Sequence, residues 1–133
     1  MTIEALIRAY FDAFNRHDLD ATLALMTEDV VHEINQGGAE VGKDAFQKFK
    51  QTMDVHYLEQ ITDLEVMVSQ NRGCAEFTCS GEYLKKDGNF PEAHGQKYSI
   101  RAAAIFEAKD GKICRVTSYY NVPEWVRQVT LPA

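Results

Sequence analysis

The fold is decided by the stretch YSIRAAAIFEAKDGKICRVTSYY, which occupies residues 98–120. Its two halves, 98–109 and 112–120, are rich in β-branched, aromatic and small apolar residues, and Asp110-Gly111 joins them. An Asp-Gly pair between two such runs is the strongest short signal for a β-hairpin. The stretch therefore predicts two long antiparallel strands near the end of the chain.

The chain before this hairpin adds two further strands. Residues 75–83 alternate between an apolar or small row and a polar row, which is the period of a half-buried strand. Residues 59–69 predict a long strand before it, and 71–73 the turn between the two. Residues 85–95 contain Asp-Gly-Asn and a proline and predict a long loop. The second half is therefore an antiparallel meander.

The first half predicts three helices. Apolar residues recur at spacings of three and four over 2–17, and Asp18 is expected to cap a short second helix. A strand over 29–35 follows, and Asp44 is expected to cap a third helix. Pro123 opens a last helix. We expect a single α+β domain over 1–133, in which three N-terminal helices pack on a curved, mixed, mainly antiparallel sheet and enclose an apolar, cone-shaped interior.

Composition excludes several classes of protein. The net charge is −6 and no basic patch is found, which argues against a nucleic-acid partner. No apolar run approaches the roughly 20 residues of a membrane span, and the opening residues do not resemble a signal peptide. Three cysteines without a Cys-x-x-Cys pair favour a cytoplasmic protein. The four scattered histidines form no ligand motif, so we expect no metal and no cofactor.

Two stretches carry a resemblance to a known superfamily. Residues 9–46, AYFDAFNRHDLDATLALMTEDVVHEINQGGAEVGKDAF, resemble the opening of a nuclear transport factor 2-like domain, the cystatin-like α+β cone. Residues 106–125, FEAKDGKICRVTSYYNVPEW, resemble its last hairpin and closing segment. Within the superfamily the chain is most similar to the ketosteroid isomerase and polyketide cyclase (SnoaL-like) branch, in a steroid isomerase-related group. The resemblance implies a small-molecule pocket inside the cone.

The resemblance also indicates which positions could carry chemistry. Ketosteroid isomerases use a first-helix tyrosine as oxyanion donor, an aspartate base and a second, protonated acid. These positions fall on Tyr10, Ile34 and Ala103, so only the tyrosine is present. Epoxide hydrolases of the superfamily place an arginine between two aspartates. The arginine falls on Arg101, but the aspartates fall on Ala103 and Ser118.

Three residues are the candidate catalytic groups. Tyr10 lies in the apolar stripe of the first helix, where its phenol needs a partner from the backbone or from a bound molecule. His32 lies on the strand side that the resemblance places inside, and an imidazole can act as a general base. Arg101 could orient an anionic substrate or pair with a carboxylate such as Glu33 or Glu82. Each of the three has a purely structural alternative, and alternation turns Glu33 away from the pocket.

Other residues are expected to form the wall of the pocket. The predicted substrate-binding residues are Phe14, Ile34, Met53, Tyr57, Phe77, Ala103, Val116, Ser118, Tyr120 and Trp125. An aromatic lining suits a flat, apolar ligand, and Tyr120 could be a second hydroxyl donor. The 85–95 loop could act as a lid or be an ordinary hairpin loop.

The strand over 100–108 bears on assembly, because it is apolar on nearly both faces. Periodicity alone places Ile100, Ala102 and Ala104 in the core, whereas the resemblance places Arg101 there. We follow the resemblance, because a second subunit on the other face would explain the second apolar row. We therefore expect a homodimer through the outer face of the sheet.

Three functions remain open at the level of sequence. The leading one is a cofactor-independent enzyme of the isomerase or cyclase type, acting by acid–base chemistry on a small apolar carbonyl compound such as a steroid- or polyketide-like molecule. The second is a non-catalytic domain for small-molecule binding or dimerisation, which the missing acids at Ile34 and Ala103 favour. The weakest is an epoxide hydrolase, which needs a carboxylate near Arg101.

Overall fold

The computed structural model describes residues 1–35 and 37–132, and this part of the chain forms four helices and six strands. The helices are α1 (Ile3–Asn15), α2 (Leu19–Ala24), α3 (Lys43–His56) and α4 (Val122–Thr130). The strands are β1 (Met26–Ile34), β2 (Ala39–Val41), β3 (Tyr57–Ser69), β4 (Arg72–Tyr83), β5 (Gln96–Lys109) and β6 (Lys112–Tyr120).

Side-chain caps set the start of three of these helices. Thr2 caps α1, Asp18 caps α2 and Asn121 caps α4, and each accepts a hydrogen bond from the amide three residues later at 3.0–3.2 Å. The predicted cap at Asp44 is wrong. Helix α3 starts after Gly42, which has no side chain to cap with, and Asp44 lies in the first turn. There its charge complements the positive end of the helix.

The six strands form one sheet in the order β2-β1-β6-β5-β4-β3. Strands β1 and β6 are parallel, and every other neighbouring pair is antiparallel. The fold is the nuclear transport factor 2-like α+β cone, and the expectation of a mixed, mainly antiparallel sheet is confirmed. The topology brings the first strand of the chain beside the last one, so early and late residues line the same interior.

The hairpin that decides the fold has the geometry its sequence predicts. Asp110 and Gly111 have φ of 53° and 75°, and positive φ at both central residues is what a type I′ turn requires. Elsewhere the strands are longer than predicted: β1 starts at Met26, β3 at Tyr57 and β4 at Arg72. The three-residue strand β2 was not predicted, because a segment that short has no detectable alternation.

The inner face of the sheet is covered by α1, which contributes Tyr10 and Phe11 to the aromatic core. Phe11 packs against Phe77 of β4 and Phe106 of β5, with ring centroids 4.8 and 5.9 Å away. The helix lies so close to β4 that a Cβ built on Gly73 would sit 2.5 Å from Cδ1 of Ile7. These contacts hold α1 against the middle of the sheet and leave space toward one end.

Strand β5 corrects the sequence prediction for Arg101 and Ala103. Ile100, Ala102 and Ala104 are buried on the inner face, as periodicity alone requires, whereas Arg101 is exposed on the outer face. The register fixes this, because Ala102 and Ala104 lie opposite the inward residues of β6. The guanidinium of Arg101 binds Glu76 at 2.5 Å, not the predicted Glu33 or Glu82. Ala103 shares the outer face.

No helix in the described part of the chain is both long enough and apolar enough to cross a membrane.

Candidate functional site

A cavity lies between the inner face of the sheet and helices α1, α3 and α4. Its volume is about 270 Å³, near the lower end of the range usual for small-molecule sites. Most of the wall is apolar and aromatic. The lining residues are Tyr10, Phe14, His32, Ile34, Asn35, Phe46, Phe49, Lys50, Met53, Tyr57, Glu59, Asp87, Phe90, Ile100, Ser118, Tyr120, Val122 and Trp125.

Tyr10 enters the cavity from α1. Its ring is fixed by edge contacts with Phe11 and Phe106, whose centroids lie 5.1 and 5.2 Å away, and the residue is 9% exposed. Burial raises the pKa of Tyr10 well above its ordinary value, because the phenolate would be desolvated. The side chain is therefore a neutral O–H donor throughout the physiological range.

His32 enters from β1, across the interior. Its ring packs against Phe46 and Phe49 of α3 at centroid distances of 5.0 and 4.6 Å, and the residue is 5% exposed. Burial lowers the pKa of His32 to about 4, although the negative charge of Glu33 acts in the opposite direction. The imidazole is consequently neutral at pH 7 and can accept a proton.

Within the described residues, the hydroxyl of Tyr10 and the ring nitrogens of His32 keep their hydrogen-bonding capacity. Among residues 1–35 and 37–132, no group forms a hydrogen bond with the hydroxyl of Tyr10 or with the ring of His32. The one fully buried polar side-chain atom without a partner in this part of the chain is Oγ1 of Thr27. The Tyr10 hydroxyl and the His32 nitrogens are therefore accessible from the cavity. This disagrees with the alternative in which Tyr10 bonds to its own backbone.

Tyr120 and Ser118 present two more hydroxyls from β6. The backbone amide of Tyr120 donates to the side-chain oxygen of Asn35 at 2.7 Å, which ties the end of β6 to the end of β1. Burial raises the pKa of Tyr120 well above its ordinary value, and the charge of Glu59 and the phenol of Tyr10 act in the same direction. Tyr120 is therefore a second neutral donor, electrostatically coupled to Tyr10.

Glu59 places a carboxylate in the wall, at the start of the edge strand β3. The hydroxyl of Tyr98 donates to Oε2 of Glu59 at 2.6 Å, and burial together with the negative charge of Glu59 raises the pKa of the nearby Cys79 thiol. Burial, together with the negative charge of Glu59, raises the pKa of Tyr98 far above its usual range. Tyr98 therefore stays protonated and holds the carboxylate in place.

Asp87 brings a second carboxylate from the loop between β4 and β5. The hydroxyl of Tyr57 donates to Oδ2 of Asp87 at 2.8 Å. The loop is fastened by Tyr83, whose hydroxyl donates to the carbonyl of Pro91 at 2.7 Å and accepts from the amide of Asp87 at 3.0 Å. Phe90 of the same loop packs on Trp125 with centroids 5.1 Å apart. The loop therefore closes part of the cavity.

Lys50 is the cationic residue of the lining. Its ammonium group binds the carboxylate of Asp54 at 3.2 Å and lies 4.0 Å from the centroid of the Phe14 ring. Both contacts hold the ammonium group between α1 and α3.

The structure brings together most of the residues that the sequence predicted for the site. Nine of the thirteen line the cavity, namely Tyr10, Phe14, His32, Ile34, Met53, Tyr57, Ser118, Tyr120 and Trp125. The stripe on α3 and the alternation on β1 and β6 account for most of these placements.

Four predicted residues lie outside the cavity. Arg101 and Ala103 face outward, as described above, so Arg101 cannot act on a ligand held in this cavity. Phe77 is on the inner face but is covered by Phe11, so it belongs to the core under α1. Val116 is fully buried, in register with His32 on the parallel strand β1, and it supports the sheet rather than the wall.

Glu33 faces away from the cavity, as alternation predicts. Its carboxylate accepts a hydrogen bond from Thr117 at 3.0 Å and lies 3.9 Å from the guanidinium of Arg115. Arg115 also pairs with Glu107 at 3.3 Å. Glu33 is therefore part of a polar network on the outer face.

The sequence did not single out Glu59, Lys50 or Asp87. For Glu59 a signal exists, because it stands between Tyr57 and Ile61 on the inward row of β3, and an acid on an apolar row is unusual. Lys50 likewise follows the lining residue Phe49 on α3. Asp87 had no comparable signal, because its position depends on the path of an irregular loop.

No group of three or more histidine, cysteine, aspartate or glutamate side chains within 1–35 and 37–132 is arranged to hold a metal ion.

Comparisons with known proteins agree with this architecture. The model of the SnoaL-like domain matches residues 7–116. A solved structure from Pseudomonas putida KT2440, described as a putative polyketide cyclase, shares 46% identity, covers 98% of this chain and 99% of its own, and has a TM-score of 0.94. A second, from Xanthomonas campestris pv. campestris and described in the same words, shares 44% identity over 96% of both chains, with a TM-score of 0.92.

More distant structures share only the fold. An LEH-like epoxide hydrolase from M. tuberculosis is 15% identical, with coverage of 96% of this chain and 88% of its own and a TM-score of 0.77. No functionally curated protein matches the chain. The family match spans most of the sequence, and the cone, the cavity and the two similar structures agree with it. The chain belongs to the SnoaL-like family of the nuclear transport factor 2-like superfamily.

Proposed function

We propose that this protein is a cofactor-independent enzyme of the isomerase or cyclase type, which acts by acid–base chemistry on a small apolar carbonyl compound. The observation that carries the proposal is a pair of polar groups in one aromatic cavity, the Tyr10 hydroxyl and the His32 ring, which have no hydrogen-bond partner among the residues that the structure describes. The names of the two similar bacterial proteins support the same class of reaction.

In the proposed reaction the neutral imidazole of His32 removes a proton from the carbon next to the carbonyl. The hydroxyl of Tyr10 donates a hydrogen bond to the carbonyl oxygen as it becomes an enolate oxygen. In an isomerisation the imidazolium returns the proton to another carbon, so the substrate neither gains nor loses atoms. In a cyclisation the enolate carbon attacks a second carbonyl carbon, and the proton goes to the new alkoxide.

The basicity of His32 is adequate for this role. Its pKa of about 4 makes it a weak base, but an aspartate of pKa about 4.6 is the base in ketosteroid isomerase. A weak base suffices there because the oxyanion hole lowers the energy of the enolate. Tyr120, coupled to Tyr10 in the same cavity, would supply a second donor to that oxygen.

Proton exchange on 2-tetralone tests the proposal, because its benzylic protons next to the carbonyl are acidic and the ketone is compact and apolar. In deuterated buffer, proton NMR should show exchange faster with the parent protein than with buffer alone. Tyr10→Phe should slow it about 10²–10³-fold, and His32→Gln about 10²–10⁴-fold. His94→Gln, an exposed imidazole on the 84–95 loop, is the matched control. Exchange that both cavity variants retain in full would refute these roles.

A second candidate is a non-catalytic small-molecule-binding domain. The apolar side chain of Ile34 at the position of the family base favours it. This candidate predicts that 2-tetralone binds but exchanges no faster than in buffer. Epoxide opening is not proposed, because Arg101 lies outside the cavity.

A further inference from the structure

The cavity has a second polar region that the proposed reaction does not use. Glu59 lies on β3, and the strand order places three strands between β3 and β1, which carries His32. Asp87 joins Glu59 from the neighbouring loop. A ligand whose carbonyl lies at Tyr10 and His32 would therefore have another part of its skeleton beside these carboxylates.

A hydrogen bond holds the carboxylate of Glu59 in place but does not use all of its acceptor sites. Oε2 accepts from the hydroxyl of Tyr98 at 2.6 Å. An ionised carboxylate offers about four acceptor sites, so it can accept further hydrogen bonds. Asp87 is more occupied, because Tyr57 donates to Oδ2 and His56 lies 3.9 Å from Oδ1.

The charges of the wall decide which ligand groups this region accepts. Glu59 and Asp87 are both acceptors, so they favour an O–H donor and repel a carboxylate. The positive charge of Lys50 is already engaged by Asp54 and by the ring of Phe14. The buried imidazole of His32 carries no charge at neutral pH.

We infer that Glu59 is a specificity-determining residue, which accepts a hydrogen bond from a hydroxyl group that the substrate carries away from its reacting carbonyl. The substrate class is then a hydroxylated, uncharged, ring-containing ketone, and carboxylated analogues are excluded. This inference rests on the proposed function for the position of the carbonyl. It adds a second point of attachment, which would fix the direction in which the ligand lies.

Three ligands that differ at one position test the inference: 2-tetralone, 6-hydroxy-2-tetralone and 6-carboxy-2-tetralone. Isothermal titration of the parent protein should give a Kd about tenfold lower for the hydroxy compound than for 2-tetralone, since hydrogen bonds to charged groups are the stronger ones. The carboxy compound should bind at least tenfold more weakly than 2-tetralone. Glu59→Gln should reduce both ratios to within about threefold.

Two further variants keep the test decisive. Glu65→Gln changes the same residue type on the same strand at an exposed position, and it should leave both ratios unchanged. Glu59→Asp keeps the charge but shortens the side chain. It should still discriminate against the carboxylate, while the preference for the hydroxyl is lost. This variant also serves if Glu59→Gln does not fold.

The outcomes separate this inference from the proposed function. Equal affinities for 6-hydroxy-2-tetralone and 2-tetralone would overturn the role of Glu59. Affinity ratios that are unchanged in Glu59→Gln would overturn it as well. Loss of proton exchange in Glu59→Gln with unchanged affinity ratios would place Glu59 in proton transfer and would overturn it as well. A binding preference for the hydroxy ketone that depends on Glu59 would support the recognition site. If the rate of proton exchange were also unchanged in Tyr10→Phe, the proposed reaction would be refuted.

Discussion

At the scale of single residues, burial keeps two polar groups of the cavity neutral, Tyr10 and His32. Desolvation raises the pKa of Tyr10 and lowers that of His32, so neither carries a charge at neutral pH. A neutral donor and a neutral acceptor can occupy an apolar wall at a much smaller cost than an ion pair. The cavity thus contains a neutral donor and a neutral acceptor, which need no counterion.

The depressed pKa of His32 predicts a pH-dependent contribution to stability. Between pH 6.5 and about 4 the unfolded chain binds a proton at this residue and the folded chain does not, so the free energy of unfolding falls as pH falls through that window. The stability difference between the parent and His32→Gln should therefore shift by about 2 kcal/mol between pH 7 and pH 4.5. Urea unfolding at the two pH values measures it.

The contribution of the carboxylates to the pH dependence of stability cancels in this comparison, because the parent and His32→Gln have the same carboxylates. A difference between parent and variant that stays constant across the window would show that His32 is protonated equally in both states. His94→Gln controls for the general effect of losing an imidazole.

Sequence reasoning placed these two residues inside the fold for physical reasons. Tyr10 interrupts an apolar helical stripe, and His32 interrupts an apolar strand row. In the structure both the stripe and the row are buried. The prediction that Arg101 faces the interior was wrong, because the resemblance was preferred to the alternation of β5. The alternation places Arg101 on the outer face. Glu59 was missed because the start of β3 was placed two residues too late, which hid its inward row.

At the scale of elements, the side chain of Asn15 ties the end of helix α1 to the exposed edge of the sheet. Asn15 accepts from the amide of Ile61 at 2.7 Å and donates to its carbonyl at 2.9 Å. It thereby satisfies backbone groups of the edge strand β3, just before the bulge at Asp63. The sequence predicted both elements but not the hydrogen bonds between Asn15 and Ile61, because a contact between residues 46 positions apart has no local sequence pattern.

Asn15→Ala should destabilise the protein by about 1–3 kcal/mol, because it leaves two partly buried backbone groups without their partner. Chemical denaturation measures the change. Asn71→Ala removes an amide at an exposed turn, where the single contact is 3.5 Å long, and it should cost less than about 0.5 kcal/mol. Equal effects of the two substitutions would show that the joint does not stabilise the fold.

The loop between β4 and β5 gives a second prediction at this scale. Tyr83→Phe keeps the buried ring but removes the hydroxyl that binds Pro91 and the amide of Asp87. Amide hydrogen exchange over 85–91 should become at least tenfold faster, while the strands on either side keep their protection. Unchanged exchange would mean that other contacts, such as Phe90 on Trp125, hold the loop.

At the scale of the whole molecule, we propose that two copies associate through the outer face of the sheet. This face carries Ala103 and Ile105 of β5, both half-buried, and Met67 of β3, which is 56% exposed. Apolar side chains on an open sheet face are stabilised when a second copy covers them. The curvature of the sheet leaves the cavity on the other side, so both sites would stay open.

Sedimentation velocity at micromolar concentration should therefore give the mass of a dimer. Ile105→Lys should shift the protein to monomer, because it would bury a charge in the interface. Lys48→Glu on the exposed side of α3 should leave the mass unchanged. A parent protein that sediments as a monomer would contradict the proposed assembly.

The most direct measurement is the carbon-13 NMR shift of the carbonyl of bound 2-tetralone. If Tyr10 donates a hydrogen bond to this oxygen inside the cavity, the signal should move downfield on binding, because the bond polarises the carbonyl. In Tyr10→Phe the bound signal should return toward the value of the ketone in an apolar solvent. A bound signal that is the same in the parent and in Tyr10→Phe would contradict the proposed site.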